Sequence, residues 1–298
     1  MVRVAFIING SKKITPLVQE ILNQCEVHPE IEATLFKTQK AKEAIEISKS
    51  CTTQNFDILA SVGGDGTMNE VLNGMMNSNI EIKPMLAILP NGTGNDFVKS
   101  AKLNINHSDF INAILEKTGS HIDVGKIEIN DKIHYFLNIS DVGFGGTVIS
   151  ILDKHRKYLS GKISYSIAIL RAFIGFRKPT LSIVTDDFEF QGKVLMVAIC
   201  NGGVFGNGLT INPFAKIDDG VLNITLLGKV SLFDYIKNLR KLKAGIPISH
   251  PEAHYVETKK IEIKVIKRKV SSEMDGELLD GKVLIFTLIE KGVSIMHY

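Results

Sequence analysis

The sequence predicts two folded parts: a doubly wound, Rossmann-like α/β domain first, and a larger β-rich, sandwich-like domain after it. Three observations predict this. Short apolar runs at 2–8, 31–36, 56–62 and 85–89 read as buried strands, and helical apolar spacing separates them. After residue 122 the pattern changes to many strand-like runs with only two helical stretches between them. Glycine-rich polar turns close several strands, as ligand loops do at the strand ends of open α/β sheets. A chain of 298 residues suits one large or two moderate domains, and 44% hydrophobic residues can fill two cores.

The first strand ends in Asn9-Gly10-Ser11. Leu17, Val18, Ile21, Leu22 and Cys25 then mark an amphipathic helix, with Pro16 at its start. The run 31–36 is the second strand, and Ala41, Ala44, Ile45 and Ser48 suggest the second helix. The third strand runs into Gly63-Gly64-Asp65-Gly66-Thr67, followed by Met68, Val71, Leu72 and Met75 at helical spacing. Glycines let such a turn approach a ligand without a Cβ in the way, and the amides at the helix start can hold phosphate. The loop is neither a Walker A loop nor Gly-x-Gly-x-x-Gly, because no Gly-Lys-Ser/Thr follows and the glycine spacing differs. Asp65 stands inside the cradle, where a carboxylate beside phosphates needs a cation such as Mg2+ between them. The fourth strand ends in Asn91-Gly92-Thr93-Gly94-Asn95-Asp96, and Phe110, Ile111, Ile114 and Leu115 mark a later helix. The two glycine loops open from neighbouring βα units and so approach one sheet edge, although Asn-Gly and Asp-Gly are also ordinary turn dipeptides.

In the second part, 122–129 and 132–139 read as a hairpin turning at Asn130-Asp131. Further strands are expected at 180–184, 188–190, 192–200, 221–227, 261–266 and 283–288, with helices at 162–176 and 232–243. The chemistry is expected in the cleft between the domains. Asp123 interrupts an apolar strand, where a carboxylate wants a cation or hydrogen bonds. Asp218 and Asp219 could hold a hard cation through oxygen, or simply open the next strand with Gly220. Asp275 and Glu277 are two apart, so a strand would put them on one face and a turn at Gly276 would redirect them. One of the two could act as general base on a hydroxyl.

Other chemistries are disfavoured. Cys25, Cys51 and Cys200 are far apart, the histidines have no ligand spacing, and no Gly-x-Ser-x-Gly elbow occurs. Net charge is only +3 and no nucleic-acid-reading motif is present, so no nucleic-acid partner is expected. Basic segments at 154–157, 237–243 and 267–269 could meet an anionic membrane, though a solvated surface explains them too. No signal peptide and no apolar run of about 18 residues is seen, so a cytoplasmic protein is expected.

In order along the chain, Gly63-Gly64-Asp65-Gly66-Thr67 with Asn69-Glu70-Val71, the 90–97 loop, Ile122-Asp123-Val124-Gly125, Asn212-Pro213 with Asp218-Asp219-Gly220, and Asp275-Gly276-Glu277 resemble the diacylglycerol kinase catalytic family. The likeness is to its soluble bacterial lipid kinases, and more distantly to sphingosine kinases, NAD kinases and phosphofructokinases. It implies an α/β nucleotide-binding domain over 1–121, rejoined by the tail 290–298, and a β-rich lipid-binding domain over 122–289. It implies transfer of the ATP γ-phosphoryl, with Mg2+, to a lipid hydroxyl such as that of diacylglycerol. On that resemblance Asp275 is the base and Glu277 its support, while Asp65 and Asp123 organise metal and nucleotide. Asn9, Gly63, Gly64, Gly66, Thr67, Glu70, Gly92, Thr93, Gly94 and Asn95 would contact the nucleotide, and Asp218 and Asp219 a structural Mg2+. The lipid would be met at the inner membrane face by peripheral contact, and a homodimer is compatible with the reading. Two departures stand out: Asn9-Gly10 replaces the family's usual Asn-Pro, and Lys99 stands where arginine is common. The competing expectations are a kinase for a soluble acceptor, of NAD kinase type, and a nucleotide-binding protein without turnover.

Overall fold

A computed structural model describes residues 1–155 and 162–298. The chain divides into two compact units, Met1–Val124 with Glu290–Tyr298, and Gly125–Ile289. The first unit alternates β1 (Val2–Ile8), α1 (Pro16–Val27), β2 (Ile31–Lys37), α2 (Glu43–Thr52), β3 (Ile58–Gly63), α3 (Asp65–Met76), β4 (Met85–Pro90), α4 (Asp96–Ser100) and α5 (His107–Glu116). β5 (Gly119–Ile129) then leads the chain into the second unit. The four strands pair in parallel in the order β2-β1-β3-β4. Their apolar runs are continuous because both faces are covered. Val4, Phe6, Ile58, Ala60 and Val62 pack with Val18, Ile21 and Leu22 of α1 and Phe110 and Ile114 of α5. α2 and α3 pack backbone to backbone: a Cβ on Gly74 would lie 2.3 Å from the Ile45 carbonyl oxygen. The order reverses between β1 and β3, so the loops after these strands flank the switch point where such sheets bind ligands.

The second unit holds β6 (Lys132–Phe136), β7 (Ile139–Gly143), α6 (Phe144–His155), α7 (Lys162–Gly175), β8 (Thr180–Val184), β9 (Glu189–Lys193), β10 (Met196–Cys200), β11 (Val204–Phe205), β12 (Leu209–Thr210), β13 (Leu222–Leu227), α8 (Leu232–Ala244), β14 (Ala253–Thr258), β15 (Lys260–Lys267), β16 (Ser272–Met274) and β17 (Glu277–Leu279). β18 (Val283–Met296) carries the chain back to the first unit, where Ile295 pairs with Leu86. One antiparallel sheet runs β14-β13-β10-β7-β16-β17, and β18, β15, β8 and β9 form a second layer. Val142, Val197, Ile199 and Ile224 of the first layer share a core with Leu181, Ile183, Ile263 and Phe286 of the second. Alternate residues Ile139, Met196, Ala198 and Cys200 face a separate core with Phe144 and Val148 of α6 and Ala168 and Ile169 of α7. The unit is therefore a β-sandwich with helices over one sheet.

Several expectations need correction. The run 132–139 is two strands, because the chain leaves β6 at Leu137-Asn138 and enters the other sheet as β7. The run 192–200 likewise divides at Val194-Leu195. α6 and β14 have no counterpart among the expected elements. Gly145 and Gly146 are close-packing positions in α6: their Cβ atoms would lie 2.4 Å from Asp141 Oδ2 and 2.8 Å from Ser271 backbone atoms. Of the basic segment 154–157, residues 156 and 157 lie outside the described residues.

Candidate active site

In the first unit, the loops after β1, β3 and β4 touch one another. Asn91 donates its backbone N–H to the Gly63 carbonyl at 2.6 Å. A Cβ on Gly92 would lie 2.5 Å from Gly64 Cα, so Gly92 needs to be glycine for the loops to meet, and a Cβ on Gly64 would sit a tight 3.2 Å from Gly92 Cα. Asn91 also ties in the first loop, accepting from Thr15 N–H at 3.0 Å and donating to the Lys13 carbonyl at 2.9 Å. Asn9 donates to Thr67 Oγ at 2.9 Å, and its own oxygen accepts from the N–H and hydroxyl of Ser11. Asn95 is left-handed (φ 49°) and closes its loop by donating to the Gly92 carbonyl at 3.0 Å. Thr93 is exposed at the tip. The two family departures have local explanations. The Gly10 N–H donates to Thr38 Oγ at 3.1 Å, which proline could not do, and its Cβ would fall 1.9 Å from the Thr38 carbonyl oxygen. Lys99 Nζ donates to the Gly94 carbonyl and pairs with Asp96, both at 2.8 Å, so it braces the second loop.

Asp65 is the first residue of α3, and its Oδ1 accepts the Phe97 N–H at 3.3 Å. A Cβ on Gly94 would lie 3.2 Å from its Oδ2. Burial, and then the Asp96 charge, push the Asp65 carboxyl above its ordinary range. Gly66 follows within the first turn of α3. Glu70 lies elsewhere: its two oxygens accept the Lys42 and Ala44 N–H groups at 3.1 and 3.2 Å, capping α2. Asp123, 2% exposed, accepts the Lys291 N–H at 2.8 Å, so it anchors the returning end of β18. The structure brings together Asn9, Gly63, Gly64, Asp65, Thr67, Gly92, Gly94 and Asn95, but uses Glu70 and Asp123 as backbone anchors.

In the second unit, β16 and β17 are joined by a two-residue turn, Asp275-Gly276, with φ of 46° and 89°. Both positive values mark the hairpin turn that favours glycine second. The turn separates Asp275 from Glu277, which begins β17 and pairs with Met274. Asp275 is 8% exposed, and three backbone N–H groups hold its carboxylate. Oδ2 accepts from Leu137 at 3.1 Å, and Oδ1 from Asn138 at 3.3 Å and Ile139 at 3.1 Å. The break between β6 and β7 supplies these donors. Asn201 fixes the break by donating its side-chain amide to the Leu137 carbonyl at 2.7 Å, and Asn138 donates to the Val204 carbonyl at 2.7 Å.

Sequence reasoning placed Asn201 and Glu273 in polar clusters without giving either a role, and missed Asn138 and Asp141; the buried acids Asp141 and Glu273 stand opposite each other on β7 and β16. The criterion that singled out Asp123, an acid inside an apolar run, also marks Asp141. Asp218 and Asp219 are exposed; Asp219 accepts from the Val221 N–H and the Asn223 side chain, both at 3.2 Å. Among the described residues, no three His, Cys, Asp or Glu side chains gather in a group fit to hold a metal.

The helical side of this unit encloses an apolar pocket. Phe144 and Val148 of α6, Ile169 and Phe173 of α7, and Tyr235 and Leu242 of α8 line it. Phe144 packs on Phe173 with ring centroids 4.4 Å apart, and Phe173 meets Tyr235 at 5.6 Å.

A parallel sheet with glycine loops at its switch point, followed by a sandwich carrying an Asp-Gly turn, is the plan of one kinase family. Residues 3–127 match the diacylglycerol kinase catalytic domain, and 139–293 match the YegS C-terminal NAD kinase beta sandwich-like domain. The chain belongs to the diacylglycerol kinase and YegS-like lipid kinase family. It is 32% identical over 239 residues to a Shewanella frigidimarina protein named "Probable lipid kinase YegS-like", covering 78% of this chain and 74% of that one. It is 28% identical to a Staphylococcus saprophyticus diacylglycerol kinase, covering 83% and 80% of the two chains. The fold matches a diacylglycerol kinase structure from Bacillus anthracis with TM-score 0.71 over 99% of this chain and 97% of that one, at 20% identity.

Proposed function

We propose that the protein transfers the γ-phosphoryl group of ATP to a lipid hydroxyl, with Mg2+, and that diacylglycerol or a related lipid is the acceptor. The observation that carries the lipid half is the apolar pocket under α6, α7 and α8, in the same unit as the Asp275 turn. Its apolar lining suits an acyl chain better than a nucleotide or sugar acceptor. The donor half rests on the glycine loops, whose backbones meet so closely that phosphates can lie against amides rather than side chains. Lys12 adds charge, with its Nζ 3.9 Å from the place a Gly64 Cβ would occupy.

In this reading Asp275 takes the acceptor's proton as the acceptor oxygen attacks the γ-phosphorus, and the bond to the β-phosphate oxygen breaks to release ADP. Thr67, held by Asn9, and the amides near Gly64 and Gly92 position the phosphates. Mg2+ would neutralise phosphate charge, held by phosphate oxygens with one or two carboxylates. Asp65 is the carboxylate nearest the glycine loops that could meet it. Peripheral docking to an anionic membrane is supported by α8, where Phe233 and Ile236 are exposed beside Lys237, Arg240 and Lys241. No helix among the described residues is long and apolar enough to cross a membrane.

The test is transfer from γ-labelled ATP with Mg2+ to diacylglycerol, a sphingoid base and NAD. Label in a lipid product supports the reading. Label in NAD alone assigns a soluble acceptor, and nucleotide binding without product on any acceptor assigns a binding protein.

A further inference from the structure

Two buried acids stand face to face behind the Asp275 turn. Glu273 of β16 opposes Asp141 of β7 in register; Asp141 is 0% exposed and Glu273 5%. Side chains so placed have Cβ atoms roughly 4.5–5.5 Å apart, and two like charges there destabilise a sheet. The environment resolves the conflict unequally. Burial pushes the Asp141 carboxyl up to about 7, against the Gly146 and Gly145 N–H groups, so Asp141 carries a proton at mildly acid pH. Its Oδ2 accepts the Gly146 N–H at 3.2 Å, while its buried Oδ1 has no hydrogen-bond partner among the described residues. Glu273 instead reaches the turn itself, where its Oε2 accepts the Gly276 N–H at 2.8 Å.

That bond falls on the peptide joining Asp275 to Gly276. With both residues at positive φ the turn is of type I′, and flipping this peptide would convert it to type II′. Fixing it fixes where Asp275 leaves the backbone, and the Leu137, Asn138 and Ile139 amides then hold the carboxylate itself. We propose that Glu273 is a positioning residue for phosphoryl transfer, acting on Asp275 through the Gly276 amide. The inference rests on the reading of Asp275 as the base. It asks for reach and an acceptor oxygen rather than charge: a side chain one methylene shorter would not bring an oxygen to the Gly276 N–H, whereas a glutamine would keep one there.

The test compares the full-length protein with Glu273→Ala, Glu273→Asp and Glu273→Gln. The readouts are kcat and KM for ATP and diacylglycerol, and the chemical shift and exchange rate of the Gly276 amide proton by NMR. Misplacing the base should lower kcat about tenfold in the Ala and Asp variants, with both KM values within about twofold, and leave Gln within about threefold of wild type. The Gly276 amide should shift upfield and exchange faster in Ala and Asp, but not in Gln. An Ala variant with wild-type kcat, or a change confined to KM, overturns the proposal. So does an unchanged Gly276 amide. If Ala fails to fold, Asp against Gln decides on the same terms. If the wild-type protein phosphorylates no acceptor, the kinase reading fails. The amide then decides the clamp alone: perturbation in Asp but not Gln supports it, and equal spectra overturn it.

Discussion

The two units hold their candidate chemistry in opposite ways. In the first unit the proposed phosphate surface is backbone, and side chains such as Asn9, Asn91 and Asn95 hold that backbone in place. In the second unit the proposed base is a side chain, Asp275, and three backbone N–H groups hold it. A site made of backbone is vulnerable to added volume, because its working surface is the absence of Cβ atoms. A site made of one carboxylate is vulnerable to a change of a single atom that leaves volume alone.

Asp275→Asn is the severest test of the second unit. Losing the base should lower kcat on the order of 10³-fold. The new amide would also face N–H donors with an N–H of its own, leaving one unpaired at a cost of about 1–3 kcal/mol. Steady-state phosphotransfer and denaturant melts separate the two effects. A folded Asn variant with full activity removes Asp275 from the mechanism.

Gly92→Ala is the matching test of the first unit. Its Cβ would overlap Gly64 Cα at 2.5 Å, and the neighbour is backbone, so the loops must part. The KM for ATP should rise about 100-fold if the amide cradle holds the phosphates, a differential binding loss of about 2.7 kcal/mol. The KM for lipid should stay near wild type. An unchanged ATP KM would show that the contact between the loops does not serve the nucleotide.

Asp141→Asn moves from rate to stability. The folded carboxyl is raised from 3.8 to about 7, so folding favours its protonated form. The stability this gives is fully present below about pH 4 and is lost as pH rises through about 7. An asparagine keeps an oxygen for the Gly146 N–H and has no charge to lose. The variant should therefore be about 2 kcal/mol more stable than wild type at pH 8, with the difference vanishing near pH 4. Urea melts at the two pH values check this. A difference independent of pH would mean that the burial of Asp141 is not what perturbs it.

The part of this molecule legible in the sequence is the part built from local pattern. β1, β3 and β4 are apolar runs closed by glycine-bearing turns, and the helices between them show apolar spacing, so the first unit reads off the chain nearly element by element. The Asp-Gly hairpin and the Asn130-Asp131 turn are legible as turn chemistry, and both residues of the latter are left-handed. The break at Leu137-Asn138 is not legible, because the apolar run continues through it. The break turns three amides toward Asp275, 136 to 138 residues away, and no local window contains that. α6 is hidden for a similar reason. Its glycines look like loop residues until Asp141 and Ser271 are seen to fill the space a Cβ would need.

Glu70 gives the smallest and most discriminating expectation. By sequence it extends the glycine motif and belongs with the nucleotide contacts. By structure it reaches 26 and 28 residues back to the Ala44 and Lys42 N–H groups, which α2 itself cannot satisfy. The left-handed Lys42 at the helix start makes no side-chain cap of its own. The motif position is then explained by packing: α3 must hold α2, and α3 is the helix whose first turn carries Asp65 and Thr67. Glu70→Ala should cost about 1 kcal/mol of stability, the ordinary loss of a cap, and leave the KM for ATP within about twofold. Glu70→Gln, which keeps one acceptor oxygen, should lose about half as much. A large rise in ATP KM at unchanged stability would return Glu70 to the nucleotide and make its contact with α2 incidental.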